Sequence, residues 1–417
     1  MKENGGASEW RASLAIGALN LDPRVLSQIP SKPVFLCDCT LREGEQSAGA
    51  AFSKADKVRV ARLLDEMGVH QVQVGYAGVS REDADMIRTL VAENLRAEIE
   101  CIAMVHVSNW REHIEAAVAC EPDIVSMQYG TSDLRLEKVL KVSREQAIDT
   151  MVQAVRYARE RGAKVVSFSP TDTSRTDLDF LVQIVTALAD AGVDRVRVAD
   201  SMGAISPTAF RYLVKTVRDA LPDRVMLGVH CHNDYGLALA NIVAALEGGA
   251  DFFDGVVNGM GERAGNVSLD ELALVLEHLY DRRTGIDLSR FGDLARLVEE
   301  MSGTAIPPNK PVVGENAFAH QLDNHIRGVA ITPALYEPYP PELVGNHRRL
   351  PLGRLSGEHA VRLKLSSLGY LDDGVDIPAL AADVRREAEA VRGEVDDAGF
   401  ARLAERAGAA RAEQAVR

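Results

Sequence analysis

The sequence predicts an α/β protein: a barrel of eight parallel strands, each followed by a helix, and then a smaller, mainly α-helical C-terminal subdomain. Three observations support this fold class. Short β-branched runs alternate with longer stretches of helical periodicity, which is typical of parallel βα units. Eight such units fit into about 250 residues, the size of a (β/α)8 TIM barrel. The alternation stops near residue 290, where a Pro/Gly/His-rich segment leads into Ala/Arg/Glu-rich helices.

Each strand candidate is a short, mainly apolar run. In chain order the candidates are 33–39, 69–75, 97–104, 122–128, 163–169, 193–200, 225–232 and 250–257. Segments between them, such as 53–68 and 143–162, begin at Ser and end at Gly, the residues preferred at helix caps. We therefore predict an N-terminal arm (1–31), a catalytic barrel (32–290), and a lid with a helical C-terminal subdomain (291–417).

Composition narrows the class of protein. The chain has 417 residues, is 46% hydrophobic, and carries a formal net charge of -14, so it has no basic surface for nucleic acid or an anionic membrane. We expect no secretory leader, since the first residues lack a basic segment followed by a sustained apolar run. No run of roughly 18 apolar residues occurs in the sequence, and we expect a cytoplasmic protein without a membrane partner. The five cysteines include no CxxC pair, so we expect reduced, inert thiols.

The stretch GVHCHNDYG ends the seventh strand candidate. Side chains alternate along a strand, so His230 and His232 share one face and Cys231 takes the other. In a barrel that common face opens at the C-terminal ends of the strands, where active sites form. Two imidazoles with carboxylates nearby suit a divalent metal acting as a Lewis acid. The alternative is a pair of hydrogen-bonded core histidines.

Two further motifs follow strand candidates one and eight. In DCTLREGEQ, Arg42 and Glu43 share a short polar turn, so one site could hold both an anion and a metal. In NGMGERAGN, a glycine-rich loop ends at Asn266, whose amide could supply another oxygen ligand. Alone, either motif could be an ordinary solvated turn. A Walker-type phosphate loop is absent from the sequence.

Together the three motifs resemble the signatures of the DRE-TIM metallolyase superfamily, in its branch of homocitrate, 2-isopropylmalate and citramalate synthases. The resemblance covers roughly residues 32 to 370. It implies a divalent metal (Zn, Mn, Co or Mg) and acetyl-CoA as co-substrate. It implies metal ligation by Glu43, His230, His232 and Asn266. It also implies catalytic roles for Arg42 and Glu262, with Asp38 orienting Arg42 and the metal ligands.

The implied reaction condenses acetyl-CoA with a 2-oxo acid. The base is expected in the second domain, where the spacing of His325 and Tyr336 matches the family's catalytic pair. A surface histidine in a polar loop is the alternative for His325. The resemblance further implies a homodimer, in which these lid residues complete the active site of the partner subunit.

Several positions depart from the usual family pattern. Gln73 stands where Glu is usual, Ser201 replaces Thr, and Ser167 occupies a position that is Arg in homocitrate synthases. The metal motifs are intact, whereas the acceptor pocket has been rebuilt with polar groups, which favour a polar or anionic acceptor. The predicted substrate-binding residues are Arg42, Gln73, Gln128, Tyr129, Arg135, Ser167, Ser169 and Ser201.

Two other functions stay open at this level. The same type of metal site serves retro-aldol and retro-Claisen lyases, although lyases of the hydroxymethylglutaryl type place a cysteine in the strand-eight loop and NGMGERAGN has none. A non-catalytic metal-binding barrel would be expected to have a damaged ligand set, because fold alone does not establish activity.

Overall fold

A computed structural model describes residues 15–411 of the chain. Its strands form one closed barrel in sequential order, with every pair parallel and β8 returning to β1. The predicted (β/α)8 fold class is therefore confirmed. The strands are β1 Phe35–Asp38, β2 Gln71–Gly75, β3 Glu98–Met104, β4 Ile124–Gly130, β5 Val165–Thr171, β6 Arg195–Asp200, β7 Met226–Cys231 and β8 Phe252–Gly255.

Nine longer helices belong to the barrel unit. They are α1 Lys54–Met67, α2 Arg81–Ala92, α3 Trp110–Val118, α4 Arg144–Glu160, α5 Leu178–Asp190, α6 Pro207–Ala220, α7 Ala238–Glu247, α8 Leu269–His278 and α9 Phe291–Ser302. Their ends follow the capping residues seen in the sequence. The Ser53 hydroxyl accepts a hydrogen bond from the backbone of Asp56 at the start of α1, and Ser143 forms a capping box with Gln146 at the start of α4.

The two faces of the strands have different chemistry. Outward positions such as Val72, Ile99 and Val196 are buried and apolar, and they form the core between the barrel and its helices. The first two inward positions on each of β2, β3 and β6 are polar or charged. Arg195 of β6, for example, reaches across the barrel to Glu98 of β3. Barrel interiors are more often filled by branched apolar side chains, so this polar interior needs a separate explanation.

The chain divides into two compact units. One is the barrel unit, Gly17–Ile306, and the described part of the other comprises residues 15–16 and 307–411. The division falls later than the boundary predicted at residue 290, because α9 belongs to the barrel unit. Of the predicted N-terminal arm, residues 1–14 lie outside the described range, and residues 15–31 contain short helices at Ala18–Leu21 and Pro23–Leu26.

The described part of the second unit contains four α-helices: α10 Asp323–Ile331, α11 Glu358–Ser367, α12 Ile377–Val391 and α13 Asp397–Arg406. Its core is apolar and includes Leu365, Leu380 and Phe400, all fully buried. This agrees with the helical character predicted for the C-terminal region. Across both units, every described helix is too short or too polar to cross a membrane.

Candidate active site

A cavity of about 410 Å³ opens at the C-terminal ends of the barrel strands. Residues from all three sequence motifs line it, so the barrel brings together segments that are about 200 residues apart in the chain. The predicted site residues among its lining are Arg42, Glu43, Gln128, Arg135, Ser169, Ser201, His230, His232 and Glu262.

Three potential metal ligands converge on one side of this cavity. His230 Nε2 lies 3.9 Å from one carboxylate oxygen of Glu43, and His232 Nε2 lies 3.8 Å from the other. All three side chains are buried, and one donor atom from each lies within 4.8 Å of the others. A carboxylate and two imidazoles at this separation form a donor set that can share one divalent cation.

The glycine-rich strand-eight loop supplies the fourth predicted ligand. His232 and Asn266 form an isolated β-bridge, and the Asn266 Nδ2 is buried without a hydrogen-bond partner among the described residues. Gly261 has φ +142°, and a Cβ there would lie 2.6 Å from Asn266 Nδ2 and 3.2 Å from Glu43 Oε1. Since the amide oxygen and nitrogen exchange places on a 180° rotation, Asn266 can present an oxygen to this site. The residues therefore fit a bound metal.

Electrostatics prepare these donors in the metal-free protein. Burial alone would raise the pKa of Glu43, but the Arg42 guanidinium and the two histidines lower it to about 2. Burial, together with the charge of His230, lowers the pKa of His232 to about 4. Burial opposes the charged form of His230 as well, but its hydrogen bond to Asp254 and the Cys39 side chain raise its pKa to about 9. At neutral pH the Glu43 carboxylate and the His232 imidazole are thus already in the states that bind metal.

Arg42 points its guanidinium along the edge of this donor set. Its Nε donates to Gln73 Oε1 at 2.6 Å, and its Nη1 is paired with the Glu43 carboxylate. Gln73 in turn donates from Nε2 to Glu100 at 3.0 Å, so the amide orientation is fixed by partners of opposite type. A carboxylate at position 73 would face Glu100, which gives a physical reason for the amide in this chain.

The other side of the cavity is polar. Ser169 is buried, and its Oγ has no hydrogen-bond partner among the residues that the structure describes. Gln128 lies opposite Tyr76, whose hydroxyl is 3.5 Å from Gln128 Oε1. Arg135 is partly exposed, and its Nε is 3.7 Å from Asp172. The unpaired Ser169 hydroxyl can bind a polar group of a ligand on this side.

Comparisons with known proteins agree with this geometry. Residues 33–298 match the HMGL-like family, and residues 312–391 match the homocitrate synthase post-HMGL domain-like family. A probable 2-isopropylmalate synthase of Ignicoccus hospitalis is 40% identical over 87% of this chain and 89% of its own length. A homocitrate synthase of Methanothermobacter thermautotrophicus is 38% identical over 85% of this chain and 89% of its own length.

The chain belongs to the HMGL-like family, in its synthase branch. This confirms the resemblance and the prediction of an enzyme of the transferase type. Among solved structures, a hydroxymethylglutaryl-CoA lyase from Pseudomonas aeruginosa aligns with a TM-score of 0.58. The alignment covers 67% of this chain and 96% of the lyase at 23% sequence identity, a similarity that supports the barrel fold alone.

Three of the substrate-binding residues predicted in this synthase do not line the cavity. Gln73 and Ser167 are buried beneath its floor, one layer deeper in the barrel. Tyr129 follows Gln128 on β4, and since neighbouring strand residues take opposite faces, its side chain is directed toward the surrounding helices. The alternation of the strand contains this signal, because Gln128 and Tyr129 cannot both face the barrel interior.

The predicted base and its partner lie in the C-terminal unit. His325 and Tyr336 stack with ring centroids 4.0 Å apart and planes 21° from parallel. Nearby, His320 Nε2 is 3.1 Å from Glu337, whose carboxylate also binds Arg348 through two hydrogen bonds. The sequence spacing thus corresponds to direct contact between the two rings.

Sequence reasoning missed several residues of the barrel site. His106 lines the cavity, as do Arg197 and Asp254 at its floor. Arg197 had a signal in the sequence. Charged residues recur at alternate positions of two strands, as Glu98 and Glu100 on β3 and as Arg195 and Arg197 on β6. Such a pattern indicates a charged barrel interior.

Proposed function

We propose that the protein condenses acetyl-CoA with a 2-oxo acid that has a polar or anionic side chain, giving a 2-hydroxy dicarboxylic or tricarboxylic acid and free CoA. The observation that carries this proposal is the convergence of Glu43, His230 and His232 beside Arg42 in one cavity. The curated relatives named as homocitrate, 2-isopropylmalate and citramalate synthases support the same reaction class.

The metal site would be formed by Glu43, His230, His232 and Asn266. A divalent ion bound there would act as a Lewis acid on the keto group of the acceptor. Arg42 supplies a fixed positive charge for the acceptor carboxylate, and its contacts with Glu43 and Gln73 hold the guanidinium in one orientation. With the keto group at the metal site and the carboxylate at Arg42, the side chain of the acceptor would face Gln128, Ser169 and Arg135.

The bond changes are those of an aldol-type addition followed by hydrolysis. A base takes a proton from the methyl group of acetyl-CoA, and the methyl carbon then bonds to C2 of the oxo acid as the C=O π electrons move to the keto oxygen. That oxygen takes up a proton and becomes a hydroxyl group. Water cleaves the thioester and releases CoA as the thiol. We assign the removal of the methyl proton to His325, assisted by Tyr336. We assign a catalytic role to Glu262 as well, at the rim of the cavity.

The base would act within a homodimer, with the C-terminal unit of one protomer serving the barrel of its partner. The supporting observations are the match of residues 312–391 to the post-HMGL domain of homocitrate synthases and the His325–Tyr336 stack. Analytical ultracentrifugation tests the dimer directly. Mixing inactive His230→Ala and His325→Ala protomers should restore part of the activity if the sites are completed in trans.

A thiol-release assay tests the reaction. We expect CoA thiol formation from acetyl-CoA that stops with EDTA and returns when Zn²⁺, Mn²⁺, Co²⁺ or Mg²⁺ is added. A panel of oxaloacetate, 2-oxoglutarate, phosphonopyruvate and 2-oxoisovalerate should show the highest kcat/KM for an acceptor with a charged side chain. Preference for 2-oxoisovalerate would reject the polar acceptor, and absence of thiol release with every acid would reject the condensation.

A further inference from the structure

A buried ion pair lies directly beneath the candidate metal ligands. Arg197 of β6 binds Glu100 of β3 through two parallel hydrogen bonds, Nη1 to Oε1 at 2.8 Å and Nη2 to Oε2 at 2.9 Å. The Glu100 side chain is completely buried and that of Arg197 is 4% exposed. The guanidinium also lies over the Phe252 ring at 5.1 Å. Removing two charges from water is costly, so this pair calls for a role beyond stability.

The pair connects to the metal site through one carboxylate. Arg197 Nε is 3.1 Å from Asp254 Oδ2, and the same oxygen is 3.0 Å from His230 Nδ1. An ionised carboxylate only accepts hydrogen bonds, so His230 Nδ1 carries the proton and donates it. A bound metal ion would replace the proton on the other ring nitrogen, Nε2, which is the one that faces Glu43. A carboxylate partner of this kind fixes both the tautomer and the ring orientation of a metal-binding histidine.

A second ion pair on the same two strands lacks this connection. Glu98 and Arg195 lie two residues earlier on β3 and β6, and they pair at 2.8 Å. Arg195 also donates to Gln71 Oε1, and Gln71 Nε2 donates to Glu100, so this pair reaches Asp254 and His230 only indirectly, through Glu100 and Arg197. The two layers therefore have the same chemistry, but only the upper one contacts Asp254 directly.

The same region contains a second group of potential metal donors, namely Cys37, Cys39 and Asp254. The positively charged guanidinium of Arg197 already lies beside them. Arg197 Nε pairs with Asp254, and its Nη2 is 3.9 Å from Cys37 Sγ. The guanidinium thus occupies the position of positive charge that a second metal ion would need, and one ion per barrel is expected.

We propose that Arg197 is a positioning residue of the metal centre. Held by Glu100, it fixes the Asp254 carboxylate against His230 Nδ1, so that Nε2 is presented to the ion. This inference rests on the proposed function in one respect, which is that Glu43, His230 and His232 bind a metal.

Titration with Co²⁺ alone, without substrates, tests the proposal. Its visible absorption bands report coordination geometry, and the titration gives the dissociation constant and the stoichiometry. Arg197→Lys keeps the charge but loses the two-pronged geometry, and Asp254→Asn keeps the shape but loses the charge. We expect each variant to bind Co²⁺ about 10- to 100-fold more weakly, with altered bands, as for other partners of metal-binding histidines. The matched control, Arg195→Lys, should keep the wild-type affinity and spectrum.

The possible outcomes separate the two hypotheses. Wild-type affinity and spectrum in folded Arg197→Lys would overturn the positioning role, as would an equal loss in Arg195→Lys. Two Co²⁺ ions per wild-type chain, one of them lost in Cys37→Ser, would also overturn it. If wild-type protein binds no Co²⁺, or His232→Ala binds it normally, the proposed metal centre itself fails. Circular dichroism reports folding, and if Arg197→Lys does not fold, Asp254→Asn decides the test.

Discussion

The barrel contains two cavities of about 410 Å³, one at each end, and only the one at the C-terminal ends of the strands has the character of an active site. The cavity at the N-terminal ends is also charged, but its charges are satisfied locally. Arg195 pairs with Glu98, Arg96 with Asp65, and His70 Nδ1 accepts the backbone N–H of Leu36.

At the C-terminal cavity, buried polar atoms are left without protein partners. Ser169 Oγ, Asn266 Nδ2 and His232 Nδ1 have no hydrogen bond among the described residues. A buried polar atom without a partner costs free energy, so such atoms persist where a ligand or metal satisfies them. Size and charge do not distinguish the two ends of this barrel, whereas unsatisfied hydrogen-bonding capacity does.

The largest effect that would separate the two ends is on turnover. His230→Ala at the C-terminal end should lower thiol release about 10³-fold, because Lewis-acid stabilisation is worth several kcal/mol of the barrier. Arg96→Ala, at the rim of the N-terminal cavity, should leave turnover unchanged. Circular dichroism should show a retained fold in both. Equal losses in the two variants would contradict the assignment of function to one end.

Stability should distinguish the two ion-pair layers between the cavities. Glu100→Gln leaves Arg197 in a buried site with part of its charge uncompensated, and we expect it to lower the free energy of unfolding by about 3–5 kcal/mol. Glu98 is 41% exposed in its pair with Arg195, so Glu98→Gln should cost at most about 1 kcal/mol. Urea unfolding measures both values, and similar costs would show that burial does not separate the layers.

The pH dependence of unfolding sharpens the same comparison. Burial alone would raise the pKa of Glu100, but the charge and hydrogen bonds of Arg197 lower it to about 2. A carboxyl pKa that is lower in the folded state stabilises the protein above pH 4.5, and this contribution is lost as pH falls toward 2. This contribution of Glu100 to the free energy of unfolding is on the order of 3 kcal/mol. Urea midpoints measured from pH 5 downward should therefore fall less steeply in Glu100→Gln than in wild type. Parallel curves would be the contrary result.

The smallest expected effect concerns the acceptor side of the active cavity. The Arg135 side chain is 44% exposed, so its charge is partly screened. Arg135→Gln should raise the KM for a 2-oxo acid with an anionic side chain about 3- to 10-fold, which corresponds to roughly 1 kcal/mol of binding free energy. It should change kcat little. A 2-oxo acid with an uncharged side chain, such as 2-oxoisovalerate, serves as the control, since its KM should not respond. Unchanged KM values for every acceptor would remove Arg135 from the binding site.

Much of the fold and of the metal site could be predicted because the information is local. The alternation of β-branched and helical segments gave all eight strands, and Ser and Gly caps marked many helix ends. His230 and His232 had to share a face, because the strand period is two. The rule that barrel loops meet at the C-terminal ends of the strands brought the whole first turn beside them, and the family resemblance selected Glu43 within that turn.

The position of each inward side chain along the barrel axis was harder to predict than its direction. Ser167 and Ser169 share a face of β5, but only Ser169 reaches the cavity. Gln73 was predicted to bind substrate, and it instead supports Arg42 from below. Strand alternation gives the direction of a side chain, but the height of a residue relative to the other strands depends on their register.

The sequence by itself determined the barrel class, the helical C-terminal region and the three motifs that carry the metal donors, because each of these depends on a period or a spacing within one segment. Only the tertiary structure decided which charges meet across the interior. Glu100 and Arg197 are 97 residues apart, and Asp254 reaches His230 from a neighbouring strand. Such pairs follow from barrel closure and strand register, which no local pattern in the chain encodes.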